Sequence, residues 1–229
     1  MVTADTVTTP AVGREFCTNA AVRKISFTGS TAVGKTLMQQ SAETVQRLSL
    51  ELGGNAVFVV FADADVDQAV LAAVAAKYRN AGQTCVCADR FLVHEAVHDE
   101  FVEKLRQKVE TFVVGDGMDP TTTMGPLITS TAVDRVAAKV EQAIQEGAVC
   151  VTGGSTLPAV GPNFYAPTIL TNVDVKSQIW GTETFGPVAP IRSFQTEEEA
   201  LEIANDTRVG LASYFCTKDL SRAFRFSKG

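Results

Sequence analysis

An α/β fold is predicted, and three features of the sequence predict it. Runs of β-branched and aromatic apolar residues alternate along the chain with longer segments of helical period. The run over 56–61 is almost wholly apolar, as a parallel strand buried on both faces must be. The chain has 229 residues, 45% apolar and 20% charged, enough to bury a core without disulfide or metal staples.

The elements follow in order. The opening residues read as loop, and the first strand is Lys24-Ile25-Ser26-Phe27-Thr28. A helix follows over 30–42, then two extended runs over 48–52 and 56–61. Asp63 and Asp65 offer caps for a helix over 66–78. Next come a strand at 91–93, helices over 97–109 and 130–146, and a strand at 149–152. A strand at 187–194, a helix over 196–205, a strand at 213–217 and a helix from Leu220 complete the series. This βα rhythm implies a mostly parallel sheet. Two looser stretches, 115–124 and 153–163, are rich in Gly, Pro and Thr. Both ends read as cut: the chain starts in loop-like sequence and stops at Lys228-Gly229, where another strand is due.

The net charge of −6 argues against nucleic acid or an anionic membrane as partner, because phosphate-binding surfaces need a basic stripe. No apolar run is long enough to span a bilayer, and the N-terminus has no signal-peptide pattern. The five cysteines, Cys17, Cys85, Cys87, Cys150 and Cys216, read as free thiols of a reducing compartment. The compartment expected is the cytoplasm, with the mitochondrial matrix as the alternative. His94 and His98 are the only histidines and read as surface residues, so no zinc spacing exists and no metal is expected.

Gly29-Ser30-Thr31-Ala32-Val33-Gly34-Lys35-Thr36 fits the G-x-x-x-x-G-K-[ST] pattern, between a strand and a helix. A phosphate-loop NTPase using Lys35, with Asp63 holding magnesium, is therefore one reading. Any such turn, however, offers N–H groups and a positive helix end to a phosphate. A dinucleotide pyrophosphate would serve equally, and a plain tight turn is the third alternative.

Three further segments carry chemistry. Gly82-Gln83-Thr84-Cys85-Val86-Cys87 places a thiol in a loop between a helix and a strand, where reactive groups are displayed. The alternative for Cys85 is a small core residue. A Cys–His hydrolase finds little support, since the two histidines sit together. Glu51, ending an apolar run ahead of Gly53 and Gly54, is expected to be partly buried and so suited to proton transfer; the alternative is a turn carboxylate. Glu183 and Phe185 enter a Gly186-Pro187 turn, where a carboxylate can take ribose hydroxyls and a ring can pack on a flat heterocycle. An ordinary loop is the alternative there.

Taken in order, Phe27-Thr28-Gly29-Ser30, Glu51-Leu52-Gly53-Gly54, Gly82-Gln83-Thr84-Cys85 and Glu183-Thr184-Phe185-Gly186-Pro187 resemble the successive motifs of the aldehyde dehydrogenase superfamily. The spacings agree with it: 34 residues from Glu51 to Cys85 and 98 from Cys85 to Glu183. The segment Lys77-Tyr78-Arg79-Asn80-Ala81-Gly82-Gln83-Thr84-Cys85-Val86-Cys87 is most similar to succinate-semialdehyde dehydrogenases.

The resemblance implies a fold and a chemistry. Residues 1–52 would be the tail of a Rossmann-type NAD(P)-binding domain, and 53–229 most of a parallel-sheet catalytic domain. Cys85 would be the nucleophile and Glu51 the general base. Gly29, Ser30, Gly34, Leu52, Gly53, Glu183 and Phe185 would hold NAD or NADP, and Lys35 would be incidental. Arg79 would face the second carboxylate of the aldehyde, as Arg suits bidentate recognition, unless it forms a helix-end salt bridge. Cys87 would be a redox partner for Cys85. The resemblance also implies a homo-oligomeric parent.

Family members are about twice as long, and the upstream asparagine of the oxyanion hole and the lysine segment for the adenosine ribose have no counterpart in this sequence. The chain alone is thus expected to bind cofactor poorly and turn over little aldehyde, since losing one oxyanion donor costs about two to three orders of magnitude in rate. A non-catalytic remnant is the remaining alternative.

Overall fold

The computed structural model describes residues 3–228, in two compact units separated in sequence between Gly53 and Gly54. The first unit contains α1 (Thr9–Thr18), β1 (Lys24–Thr28), α2 (Thr31–Gln40) and β2 (Arg47–Glu51). The helix α1 corrects the loop expected there. Its start is written in Asp5, whose carboxylate accepts the N–H groups of Val7 and Thr8, and in a proline in its first turn. β1 and β2 pair in parallel from Lys24↔Arg47 to Thr28↔Glu51. Ile25, Phe27, Leu48 and Leu50 are half-buried between exposed neighbours, the two-residue alternation of a strand.

The second unit holds β3 (Ala56–Val60), α3 (Val66–Tyr78), a 3-10 turn (Arg79–Gly82), β4 (Ala88–His94), α4 (Glu95–Val109), α5 (Ser130–Gln145) and β5 (Val149–Thr152). It continues through β6 (Thr168–Thr171), α6 (Gln178–Gly181), β7 (Val188–Phe194), α7 (Glu197–Asn205), β8 (Ser213–Cys216) and α8 (Leu220–Phe226). The strands form one six-stranded sheet in the order β5-β6-β7-β4-β3-β8. All neighbours are parallel except β5, which runs against β6. Every residue of β3 is buried, which explains its unbroken apolar run. Asp65 caps α3 through the Gln68 N–H, as the sequence suggests.

Two strand assignments change. β6, four residues long, was not anticipated. β4 starts at Ala88 rather than Phe91, because two charged residues enter the buried strand with partners. Asp89 meets Lys77 at 2.9 Å, both side chains buried. Arg90, 1% exposed, donates to the carbonyls of Asn55, Ile203 and Ala204. A buried charge survives only when its hydrogen bonds are met, and these are. Among the described residues no helix is long and apolar enough to cross a membrane.

Candidate functional site

The thiol loop is built by the chain's exit from α3. Asn80 and Ala81, both at φ 53°, and Gly82, at φ 76°, follow one another in the left-handed region. Such a run costs free energy and persists only where surrounding contacts impose it. Here they do. A Cβ on Gly82 would lie 2.1 Å from the Gly186 carbonyl oxygen, so only glycine fits against that turn. The Gln83 amide donates to the Asn80 and Pro126 carbonyls and accepts the Ile128 N–H at 2.9 Å. The Cys87 N–H closes a turn onto the Thr84 carbonyl, and the Tyr214 hydroxyl donates to the Val86 carbonyl at 2.8 Å. Cys85 is half-buried at the crest of this braced loop.

Gly54 joins the thiol loop to a second segment. Its N–H donates to Glu183 Oε1 at 3.3 Å, while a Cβ at this position would come within 2.4 Å of the Cys85 carbonyl oxygen. Residues from two motifs, Cys85 and Glu183, therefore converge on one glycine. Burial pushes the Glu183 carboxyl up; the Gly54 N–H opposes that, Asp89 adds to it, and Lys139 and Lys77 offset it. Lys139, lowered chiefly by burial, donates to Thr182 Oγ1, the Thr182 carbonyl and the Glu183 carbonyl at 2.8, 3.3 and 2.7 Å.

This cluster stands at the amino ends of the parallel strands. Gly54 precedes β3, Cys85 precedes β4 and Glu183 precedes β7. Open α/β sheets more often place ligands at the carboxyl ends. No property of a single strand would have indicated this choice of end.

The remaining residues named from the sequence fall as follows. Arg79 is exposed at the end of α3 and is therefore accessible to a solute. Phe185, at φ 52°, is 42% exposed. Cys87 is buried, with Sγ 2.8 Å from Thr84 Oγ1 and 3.6 Å from the Lys77 carbonyl. All five cysteines are free thiols.

Within the first unit, Gly29 and Ser30 are exposed at the start of α2, where Ser30 Oγ caps the helix by accepting the Val33 N–H. Gly34 is buried one turn on, and a Cβ there would sit 2.7 Å from Leu52 Cδ2. That contact explains Gly34 by packing against Leu52. Gly53 is half-buried. Glu51 is exposed, correcting the partial burial expected of it; its carbonyl accepts the Gly29 N–H. It ends a strand paired on alternating faces, and its side chain falls on the outward one.

The phosphate-loop reading loses its acid. Asp63 Oδ2 accepts from the Thr217 hydroxyl and the Lys218 and Asp219 N–H groups, and Oδ1 pairs with Arg222. It is thereby committed to holding the end of β8. His94 Nδ1 accepts the Ala96 N–H while its ring stands edge-on to Phe194, and His98 pairs with Asp99; both are half-buried, correcting the surface placement expected of them. Among the described residues no group of three His, Cys, Asp or Glu could hold a metal.

Sequence reading missed four contributors: Gln83, Lys139, Tyr214 and the Lys77–Asp89 pair. Gln83 lay inside a quoted motif and could have been found. Tyr214 and Lys139 carry no local signal, since their partners lie 128 and 44 residues away.

The chain is similar in sequence and fold to known proteins. The family profile described as "Aldehyde dehydrogenase family" matches residues 3–229. The chain is 51% identical over 215 residues to a succinate-semialdehyde dehydrogenase [NADP(+)] of Escherichia coli, covering 94% of this chain and 44% of that protein. It is 48% identical to a glutarate-semialdehyde dehydrogenase of Pseudomonas putida, covering 95% of this chain and 45% of that protein. The structure superposes on the crystal structure of succinate-semialdehyde dehydrogenase from Burkholderia pseudomallei with a TM-score of 0.96 and 49% identity, over 99% of this chain and 46% of that one. The chain thus spans less than half the length of the curated relatives it matches.

Proposed function

Since the chain belongs to the aldehyde dehydrogenase family, we propose that it carries the thiol-bearing part of an NAD- or NADP-dependent aldehyde oxidation. The substrate class is an aldehyde with a second carboxylate, succinate semialdehyde foremost. The observation that carries this reading is Gly54, which brings the Cys85 loop and the Glu183 carboxylate together.

In this mechanism the Cys85 thiolate adds to the aldehyde carbon, and the oxyanion formed accepts a hydrogen bond from the Cys85 N–H. When bound, a nicotinamide cofactor would supply the hydride acceptor for oxidation of that carbon to the level of an acyl thioester. Glu51 then takes a proton from water, whose oxygen attacks the thioester and releases the acid and the thiol.

The residues fit such a cofactor by their chemistry. Gly29 and Ser30 open the ten-residue helix α2, whose start favours phosphate. Gly34, Leu52 and Gly53 shape that segment. Glu183 accepts hydrogen bonds of the kind ribose hydroxyls donate, and Phe185 offers an exposed ring. Arg79 pairs with the far carboxylate of the substrate. Cys87 is the candidate redox partner of Cys85, although its Sγ must first leave Thr84. A homo-oligomeric parent and a reducing compartment, cytoplasm or mitochondrial matrix, complete the reading.

The test is reduction of NAD and NADP by the full chain at high protein concentration, since the turnover expected of it alone is slow, using succinate semialdehyde and an uncharged aldehyde of equal length. Cys85→Ser is expected to abolish turnover. Arg79→Ala is expected to weaken the acid substrate about tenfold to a hundredfold, the worth of a charge-assisted hydrogen bond, while sparing the uncharged one. A rate that survives Cys85→Ser overturns the proposal.

A further inference from the structure

We propose that Lys139 is a positioning residue that aims the Glu183 carboxylate by gripping the main chain on which it stands. The inference rests on the reading of Glu183 as a cofactor-holding group and adds to it the device that sets its direction.

An ammonium group has three protons. Lys139 Nζ places three bonds on two consecutive residues: Thr182 Oγ1 at 2.8 Å, the Thr182 carbonyl at 3.3 Å and the Glu183 carbonyl at 2.7 Å. The Thr182 hydroxyl passes its own proton to the Gln178 carbonyl at 2.7 Å, so the grip extends back through α6. Among the described residues no main-chain N–H pairs with the Thr182 or Glu183 carbonyl.

α5 holds the same segment at a second point. A Cβ on Gly186 would lie 2.6 Å from Val136 Cγ2, so that glycine is pressed onto α5. Val136 and Lys139 are three residues apart and lie on one face of the helix. One helical face thus fixes the entry and the exit of 182–186. Between these points the Glu183 carboxylate reaches the Gly54 N–H, beside the Cys85 carbonyl. Lys139 bonds to carbonyl oxygens and leaves the carboxylate to other donors. That separates a positioning role from a simple ion pair. The long reach of lysine suits the task, since a flexible stem lets its head meet both carbonyls from the helix.

The experiment compares wild type, Lys139→Ala and Lys139→Arg in the full chain by two readouts. The first is amide exchange without cofactor. Lys139→Ala is expected to speed exchange of Gly54 and of 182–186 about tenfold, as loss of a charged donor predicts, with β3 and β4 unchanged. The second is the Kd for NADP and NAD, expected to rise about tenfold in Lys139→Ala and to recover mostly in Lys139→Arg. Unaltered exchange at Gly54 and 182–186, or equal acceleration throughout β3 and β4, overturns the inference. So does faster local exchange with an unchanged Kd. A wild-type chain that binds neither nucleotide accords with the poor binding expected of it alone, and exchange alone then decides whether Lys139 positions Glu183.

Discussion

Residues 3–53 and the residues from Gly54 onward satisfy their burial in different ways. In the first unit Cys17 and Leu37 are the buried apolar side chains among those described, and its two strands alternate half-buried with exposed positions. In the second, β3 is buried throughout and β4 at all but His94. The apolar side chains of this sheet form one cluster with those of α3, α4 and α5. The same βα grammar therefore produces a thinly buried ribbon in one place and a dense core in the other. Hydrophobic stabilisation scales with the apolar area removed from water, so most of it resides in the second unit. The first relies more on local devices, such as the Asp5 turn, the Ser30 cap and the Gly34–Leu52 contact.

The contrast can be broken most sharply at the charges buried within the dense unit. Lys77→Met strands the Asp89 carboxylate in the core and is expected to cost about 3–5 kcal/mol. Urea unfolding followed by Trp180, the sole tryptophan and a buried one, would measure it. The double change Lys77→Met with Asp89→Leu should recover most of the loss, because no unpaired charge then remains. A double variant as unstable as the single one would mean that the pair does more than satisfy itself.

Native-state amide exchange compares the two units directly. β3 and β4 are expected to exchange about a hundredfold more slowly than β1 and β2, since protection follows buried contacts. Equal protection in the two sheets would erase the distinction drawn from burial.

The smallest effect sharpens the comparison by removing it. Ser30 caps α2 in the first unit and Thr129 caps α5 in the second, each through a side-chain oxygen. Ser30→Ala and Thr129→Ala should each cost about 1 kcal/mol, read as the change in exchange of the capped helix. A cap is a local bond, so its worth should not depend on the core beneath it.

Most of the architecture was legible because it is periodic. The extended runs at 24–28 and 56–61 and the helix at 66–78 could be placed from apolar spacing and caps alone. The four motifs, taken in their order and spacing, carried the family resemblance. Where the reading failed, the cause was context. Asp89 and Arg90 looked like loop residues because a charge in a strand core is costly unless partnered, and the partners are other parts of the chain. Glu51 looked half-buried because it ends an apolar run, yet the strand's alternation turns it outward.

The sequence by itself determined the alternating elements and named the candidate reactive groups, because both are written in neighbouring residues. Only the tertiary structure decided which glycine would join Cys85 to Glu183 and which helix face would seat the 182–186 segment. It also imposed the left-handed turn of Asn80 and Ala81. Those features arise from hydrogen bonds and close approaches between residues as far apart as 129 positions. Spacing along the chain records local preference, whereas the partner of a buried polar group is set by how the layers pack.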